Sequence, residues 1–191
     1  NFGAPEEIMY LAKPHIGTDL LKSIVKNMRQ EIERLGGKIL FDTKLTEISF
    51  SASGDVSGIT VNECERIPAT ALFLCIGHSA RDTFSMLGKA GICLSAKPFS
   101  VGFRIEHLQE DIDKALYGSN AGCEALEKGQ YTLSAKKDGR AVYSFCMCPG
   151  GYVVNASSEE NRLAVNGMSY SGRDSYTANS AIIMSVTKND Y

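Results

Sequence analysis

The stretch "KPFSVGFRIEH", Lys97 to His107, sets Phe99, Val101, Phe103 and Ile105 against Ser100, Gly102, Arg104 and Glu106. Successive side chains of a strand point to opposite faces, so this period of two predicts a half-buried β-strand whose polar face carries Arg104. A single strand is not a fold, and the chain beyond it supplies neighbours. "LQEDIDKALYG" reads as a short helix, "GQYTLSA" and "RAVYSFCMC" as strands joined through the turn "KKDG", and "RLAVNGMSY" and "AIIMSV" as further strands. Residues 91–191 are therefore expected to form a domain built on an antiparallel sheet.

The first ninety residues have another texture. Leu20, Leu21, Ile24, Val25, Met28, Ile32 and Leu35 recur at helical spacing, with Thr18 as the expected N-cap, Asp19 in the first turn and Gly36-Gly37 as the stop. "KILFDTKLTEISFS" predicts a strand broken near Asp42-Thr43, and "ITVNE" its antiparallel return. Gly54-Asp55 and Gly58 are expected to supply the turn between them. Ala71 to Ile76 is apolar at every position, which predicts a strand buried on both faces, with Cys75 packed inside it as a small hydrophobe. Gly77 ends that run; Ser79 and Asp82 mark the start of a short helix carrying Phe84, Met86 and Leu87. The fold class expected is α+β (mixed α/β): a helix, a β-meander, a buried strand and a short helix over 1–90, then the antiparallel domain over 91–191.

Lys and Arg total 20 against 22 acidic residues, and none of them form a basic run, so a nucleic-acid partner is not expected. The longest apolar run, Ala71 to Gly77, is far too short for a membrane span, and a soluble protein without a membrane partner is expected. The chain begins "NFGAPEE" without Met, which reads as a cut edge. Its six cysteines (Cys64, Cys75, Cys93, Cys123, Cys146, Cys148) are expected to be reduced thiols in the cytoplasm. His15, His78 and His107 lie far apart in sequence and the one close cysteine pair is Cys146-x-Cys148, so no metal site is expected. That pair should share one face of its strand, a poor geometry for a mutual disulfide.

Three features carry possible chemistry, each with a plain structural alternative. The step from an apolar strand through Gly77 and His78 to a helix start is either a simple connection or a seat for an anion or cofactor edge. In "FCMCPGGYVV", Pro149 and Gly150-Gly151 either make a turn or leave a thin backbone against which a flat ring can lie. Arg104 and Arg173 are either structural ion-pair residues or a guanidinium clamp for an anionic substrate.

The segments "KPHIGTDLL", "IGHSARDTF", "KPFSVGFRIEH" and "FCMCPGGYVV…NGMS" together resemble the bacterial family described as FAD-dependent, or NAD(FAD)-utilizing, dehydrogenases, related to two-dinucleotide flavoproteins. The resemblance implies that residues 1–90 correspond to part of a three-layer FAD-binding domain and residues 91–191 to a substrate or cap domain. It implies FAD as cofactor of the parent enzyme, a small-molecule substrate and a role for NAD(P)H. By the same resemblance Leu45, flanked by Lys44 and Thr46, presents backbone to adenine, Gly77 and His78 lie at the strand end against the cofactor, and Gly150 and Gly151 face the isoalloxazine ring. The GxGxxG fingerprint that cradles the ADP moiety occurs nowhere in these residues, so the chain is expected to be an internal fragment of an oxidoreductase that does not retain FAD alone. The competing expectation is an independently folded ligand- or protein-binding module with no cofactor.

Overall fold

The structure, a computed structural model, describes residues 2–190. Along the chain run helix α1 (Thr18–Arg34), strands β1 (Leu45–Phe50), β2 (Val56–Val61) and β3 (Glu65–Pro68), helix α2 (Arg81–Lys89), strand β4 (Phe99–Leu108) and helix α3 (Gln109–Tyr117). Strands β5 (Ser134–Lys137), β6 (Arg140–Cys148), β7 (Gly151–Asn155), β8 (Val165–Ser169) and β9 (Thr177–Val186) follow. The fold is α+β with antiparallel sheets. Contacts divide it into two compact units: Lys38–Ala96, and the residues up to Gly37 together with those from Lys97 onward. Helix α1 belongs to the same unit as the later sheet.

In the Lys38–Ala96 unit, β1, β2 and β3 form an antiparallel meander in that order, with α2 as its helix. Gly54, with φ +89°, makes the β1–β2 turn, where its N–H donates to the Ser51 carbonyl at 3.0 Å. Gly58, expected in that turn, instead sits within β2, paired with Pro68. β3 itself was not foreseen, because "ERIP" neither alternates clearly nor excludes proline; Pro68 is tolerated at the end of an edge strand. Two expected strands are absent. Lys38 to Phe41 is not β-structure, and Asp42 with φ +52° turns the chain before β1. Ala71 to Ile76 is likewise irregular, with Phe73 88 % exposed and Cys75 exposed rather than packed. An unbroken apolar run becomes a central strand only when neighbours pair both its edges and cover both its faces, and none of the described residues does so.

In the other unit, Gly17 (φ +88°) precedes α1, so Thr18 is the first helical residue rather than the cap. Its hydroxyl donates to the Ser169 carbonyl at 3.3 Å, while the Asp19 carboxylate accepts from the Ser171 N–H at 2.9 Å and its hydroxyl at 2.6 Å. These bonds at the helix N-terminus anchor α1 to the end of β8, and they lower the Asp19 pKa. Gly36 (φ +88°) ends the helix as expected. Only Ile24 of the apolar stripe is buried.

The main sheet has the order β4-β9-β6-β5, with β4 and β9 paired without interruption from Phe99↔Val186 to Leu108↔Thr177. Its faces are inverted relative to expectation. The apolar side of β4 is open, with Phe103 82 % exposed, whereas Arg104 on the polar side is half-buried. The reason is the two-stranded ribbon β7-β8, whose Gly167 approaches the side chains of Arg104 and Asn179 and so covers the polar face.

The interior under this ribbon is accordingly polar, with Ser169, Ser175, Thr177 and Asn179 all buried. Such groups require partners, since an unsatisfied buried donor or acceptor costs about 1–3 kcal/mol. Gln109, 2 % exposed at the start of α3, is the main connector. Its Oε1 accepts the Gly150 N–H at 2.8 Å, and its Nε2 donates to Asp113 Oδ1 at 2.7 Å and to the Gly129 carbonyl at 3.1 Å. The Gly129 N–H also donates to Asp113 Oδ1 at 2.7 Å. Replacing Gln109 by Leu keeps the volume but strands the Gly150 N–H and part of the Asp113 carboxylate. Thermal unfolding of Gln109→Leu is expected to show a loss of about 2–4 kcal/mol and a melting temperature lowered by several degrees; an unchanged melting temperature would show that water replaces the carboxamide.

Candidate functional site

Beneath the β7-β8 ribbon, β6 carries a bulge. Phe145 pairs with Ala181 and Cys148 with Asn179, so three residues of β6 span two of β9. Cys146, with φ +45°, absorbs the excess. The bulge breaks the alternation that would have put Cys146 and Cys148 on one face: Cys146 is exposed, and Cys148 is half-buried. It also turns the Cys146 carbonyl inward, where it accepts from Arg104 Nη1 at 3.2 Å and from the Cys148 thiol at 3.3 Å.

Arg104 reaches this point from the polar face of β4. Its Nη1 donates to Asn179 Oδ1 at 2.7 Å, and its Nη2 reaches Asn166 Oδ1 at 3.5 Å. Gly167 lies where a Cβ would collide with Asn179 Oδ1, Arg104 Nη1 and the Cys148 sulfur, so glycine is needed for the ribbon to close over them. Burial pushes the Cys148 thiol pKa up, against the opposing pull of the Arg104 and, more weakly, the Arg173 guanidinium. Of the two expected arginines, Arg104 is the one whose bonds place it beside this sulfur, sharing with it the Cys146 carbonyl. Among the described residues no carboxylate pairs with either of them, so the structural ion-pair alternative is not met. Two buried donors nearby have no acceptor, Arg173 Nε and Asn179 Nδ2. Asn179 is fully buried, and it lies in a part of β9 that the apolar pattern of "AIIMSV" leaves out. Its signal in the sequence was the small polar run "TANS" leading directly into a strand.

Gly150 and Gly151 flank this cluster and are buried. Gly150 takes φ +52° and abuts the Arg173 carbonyl; Gly151 lacks a positive φ, and a Cβ there would lie 2.5 Å from the Met168 carbonyl. The thin backbone thus admits the chain's own carbonyls rather than leaving an open face for a ring. The Gly150 N–H, moreover, is committed to Gln109. The remaining expected cofactor residues lie in the Lys38–Ala96 unit. Leu45 opens β1 beside Lys44, whose N–H and carbonyl are both taken by Asn62, at 2.8 Å each. Gly77 has φ +69° with open space on its Cβ side, and His78 is exposed. Of the glycine positions expected to meet FAD, Gly77 offers the accessible backbone that a cofactor edge needs, and Gly150 and Gly151 do not. In the same unit, Thr46, Glu47, Ile48, Asp82, Ser85 and Lys89 line a cavity of about 570 Å³ between β1 and α2, with Lys44 and Asp82 paired at 2.5 Å beside it.

Among the described residues no group of three or more His, Cys, Asp or Glu side chains could hold a metal ion, and no helix is long and apolar enough to cross a membrane. Residues 98–191 match the family described as "FAD-dependent protein, C-terminal domain-like", which supports an FAD-dependent family at the coarse level. The chain is also 50 % identical over 191 residues to a protein of Clostridium beijerinckii described as "Uncharacterized protein". The match covers 99 % of this chain but spans only 36 % of that relative's length.

The Cys148 environment has a direct chemical consequence. A thiol whose pKa is raised holds less thiolate at a given pH, and thiolate is the form that alkylates. Peptide mapping after timed iodoacetamide treatment of the native chain is expected to find Cys148 modified last among the six cysteines, with a pH profile rising above the ordinary thiol range. Modification of Cys148 as fast as that of exposed Cys64 would show that the ribbon does not protect it.

Proposed function

We propose that the chain is part of an FAD-dependent oxidoreductase, to which it contributes a substrate domain and, through Leu45, Gly77 and His78, backbone beside the cofactor. The observation that carries this reading is the match of residues 98–191, nearly the whole of the antiparallel domain, to an FAD-dependent family. The length of the relative supports a larger parent, since a chain like this one makes up about a third of it. In such an enzyme FAD, when bound, supplies the hydride chemistry, and the protein supplies position and electrostatics. The substrate is a small molecule, and NAD(P)H is the natural partner to deliver reducing equivalents in a cytoplasmic bacterial dehydrogenase.

In this reading Gly77 leaves room for the cofactor edge, while Gly150 and Gly151 act indirectly by setting the position of Arg173 and the β7-β8 ribbon. Without a GxGxxG turn to hold the pyrophosphate, the 191-residue chain is expected to fold yet lose FAD. The test is to mix it with excess FAD, desalt, and record the visible spectrum, and then to do the same with a protein spanning the full length of the Clostridium beijerinckii relative. A flavin band retained by the longer protein and lost by the chain supports the proposal. A stoichiometric yellow complex of the chain itself would overturn the fragment reading, and no flavin in either would favour a cofactor-free binding module.

A further inference from the structure

Strand β8 holds the chain's one Asn-Gly step, Asn166-Gly167. We propose that Asn166 is a site of spontaneous deamidation, and that the aspartate formed there pairs with Arg104 and fastens the β7-β8 ribbon to the main sheet.

The chemistry starts from the dipeptide. An asparagine loses its side-chain nitrogen when the backbone nitrogen of the next residue, its proton passed to hydroxide, attacks Cγ. An N–Cγ bond closes a succinimide ring and ammonia leaves; water then adds at Cγ and breaks that bond again. The net exchange is carboxamide and water for carboxylate and ammonium, with nothing oxidised or reduced. A side chain on the second residue obstructs ring closure, and glycine has none. Here the two groups already meet, since the Gly167 N–H donates at 2.8 Å to Asn166 Oδ1, the oxygen on the carbon to be attacked. Asn166 is exposed, so hydroxide and water reach it, whereas the Asn179-Ser180 step is fully buried. Closing the ring also turns a peptide plane out of the strand. β8 is five residues long and, among the described residues, pairs with β7 alone, and a two-stranded ribbon of that size opens locally.

Arg104 gives the exchange its consequence. Its Nη2 reaches Asn166 Oδ1 at 3.5 Å, and its other acceptors, Asn179 Oδ1 and the Cys146 carbonyl, are neutral as well. Among the described residues no carboxylate is paired with it. A cation beside the carboxamide oxygen stabilises the negative charge that develops there as Cγ is attacked. After the exchange it faces a carboxylate, and a charge-assisted bond replaces a long neutral one. Aspartate has the shape of asparagine, so the product needs no space that the amide does not already fill. Arg104 stands on β4 and Asn166 on β8, so this pair joins the sheet to the ribbon that covers it. Water adding at the ring's backbone carbonyl gives isoaspartate instead, which lengthens β8 and breaks its pairing with β7. Both products re-close to the same ring, and the paired ribbon therefore selects aspartate.

The inference needs no flavin and stands apart from the oxidoreductase reading. Its test incubates the 191-residue chain at mildly alkaline pH and follows each asparagine by peptide mass mapping. Acid at position 166 is expected to accumulate several-fold faster than at Asn120 and Asn161, which are exposed but precede Ala121 and Arg162. Arg104→Gln should slow the conversion. Asn166→Asp, standing for the product, should raise the melting temperature at low salt, and Asn161→Asp should not. That gain should shrink as potassium chloride is added, because one partner is exposed, and it should vanish in an Arg104→Gln background. If Arg104→Gln does not fold, the salt series on Asn166→Asp decides. Asn166 remaining an amide while Asn120 and Asn161 convert, isoaspartate as the lasting product, or an Asn166→Asp variant that melts no higher than the parent chain would each overturn the proposal.

Discussion

The hydrogen bond from the Gly150 N–H to the buried Gln109 carboxamide ties the start of α3 to the turn between β6 and β7. Gln109 begins α3 directly after β4, and through Asp113 and Gly129 it also fixes the loop beyond that helix. Gly150 lies between β6 and β7, against the Arg173 carbonyl that precedes β9. One side chain thereby ties the ends of four strands. The polar interior follows from this, because β7 can fold back over the sheet only on the side where Gly150 is held. That side of β4 presents Ser100, Arg104 and Glu106.

A sheet that covers its polar face leaves its apolar one open. Phe99, Val101, Phe103 and Ile105 of β4 are exposed, and Ile182 and Met184 of β9 are only half-buried beside Phe103 and Val101. Exposure of this kind recurs along α1 and at Phe73. Contiguous apolar surface is unfavourable in water at roughly 25 cal/mol per Å² of area left unburied. In the proposed reading of the chain as part of a longer enzyme, these are faces that the rest of that enzyme would cover.

How much of this was legible in the sequence depends on whether the decisive cause was local. The alternation of β4, the helical spacing of Leu20 to Leu35 and the Gly36 stop are local, and each element stands within a few residues of its expected place. Alternation defines two faces of a strand, but it does not say which one a later ribbon will cover, so the inward direction of Arg104 followed only from the tertiary structure. The run Ala71 to Ile76 failed for a related reason. Its composition states what environment it needs, and the described residues do not provide that environment. In the candidate site, Arg104 and Arg173 were visible as isolated cations, but the bulge at Cys146 that brings a carbonyl and a thiol to them depends on the pairing of β6 with β9.

The glycines show why the same residue type supports opposite functional readings. A glycine lacks a Cβ either because something outside the chain must approach or because the chain must approach itself, and the sequence is identical in both cases. At Gly77 the space is empty and the backbone is bent to a positive φ; at Gly150, Gly151 and Gly167 it is filled by a carbonyl, another carbonyl, and an arginine with an asparagine. The first pattern leaves backbone available to a ligand. The second spends that freedom on bringing the chain's own groups together, which makes the "CPGGY" stretch part of the packing beneath the β7-β8 ribbon. Conformational freedom of the backbone and chemical function are thus separated along this chain, and a residue's part in a site has to be read from what fills its empty side.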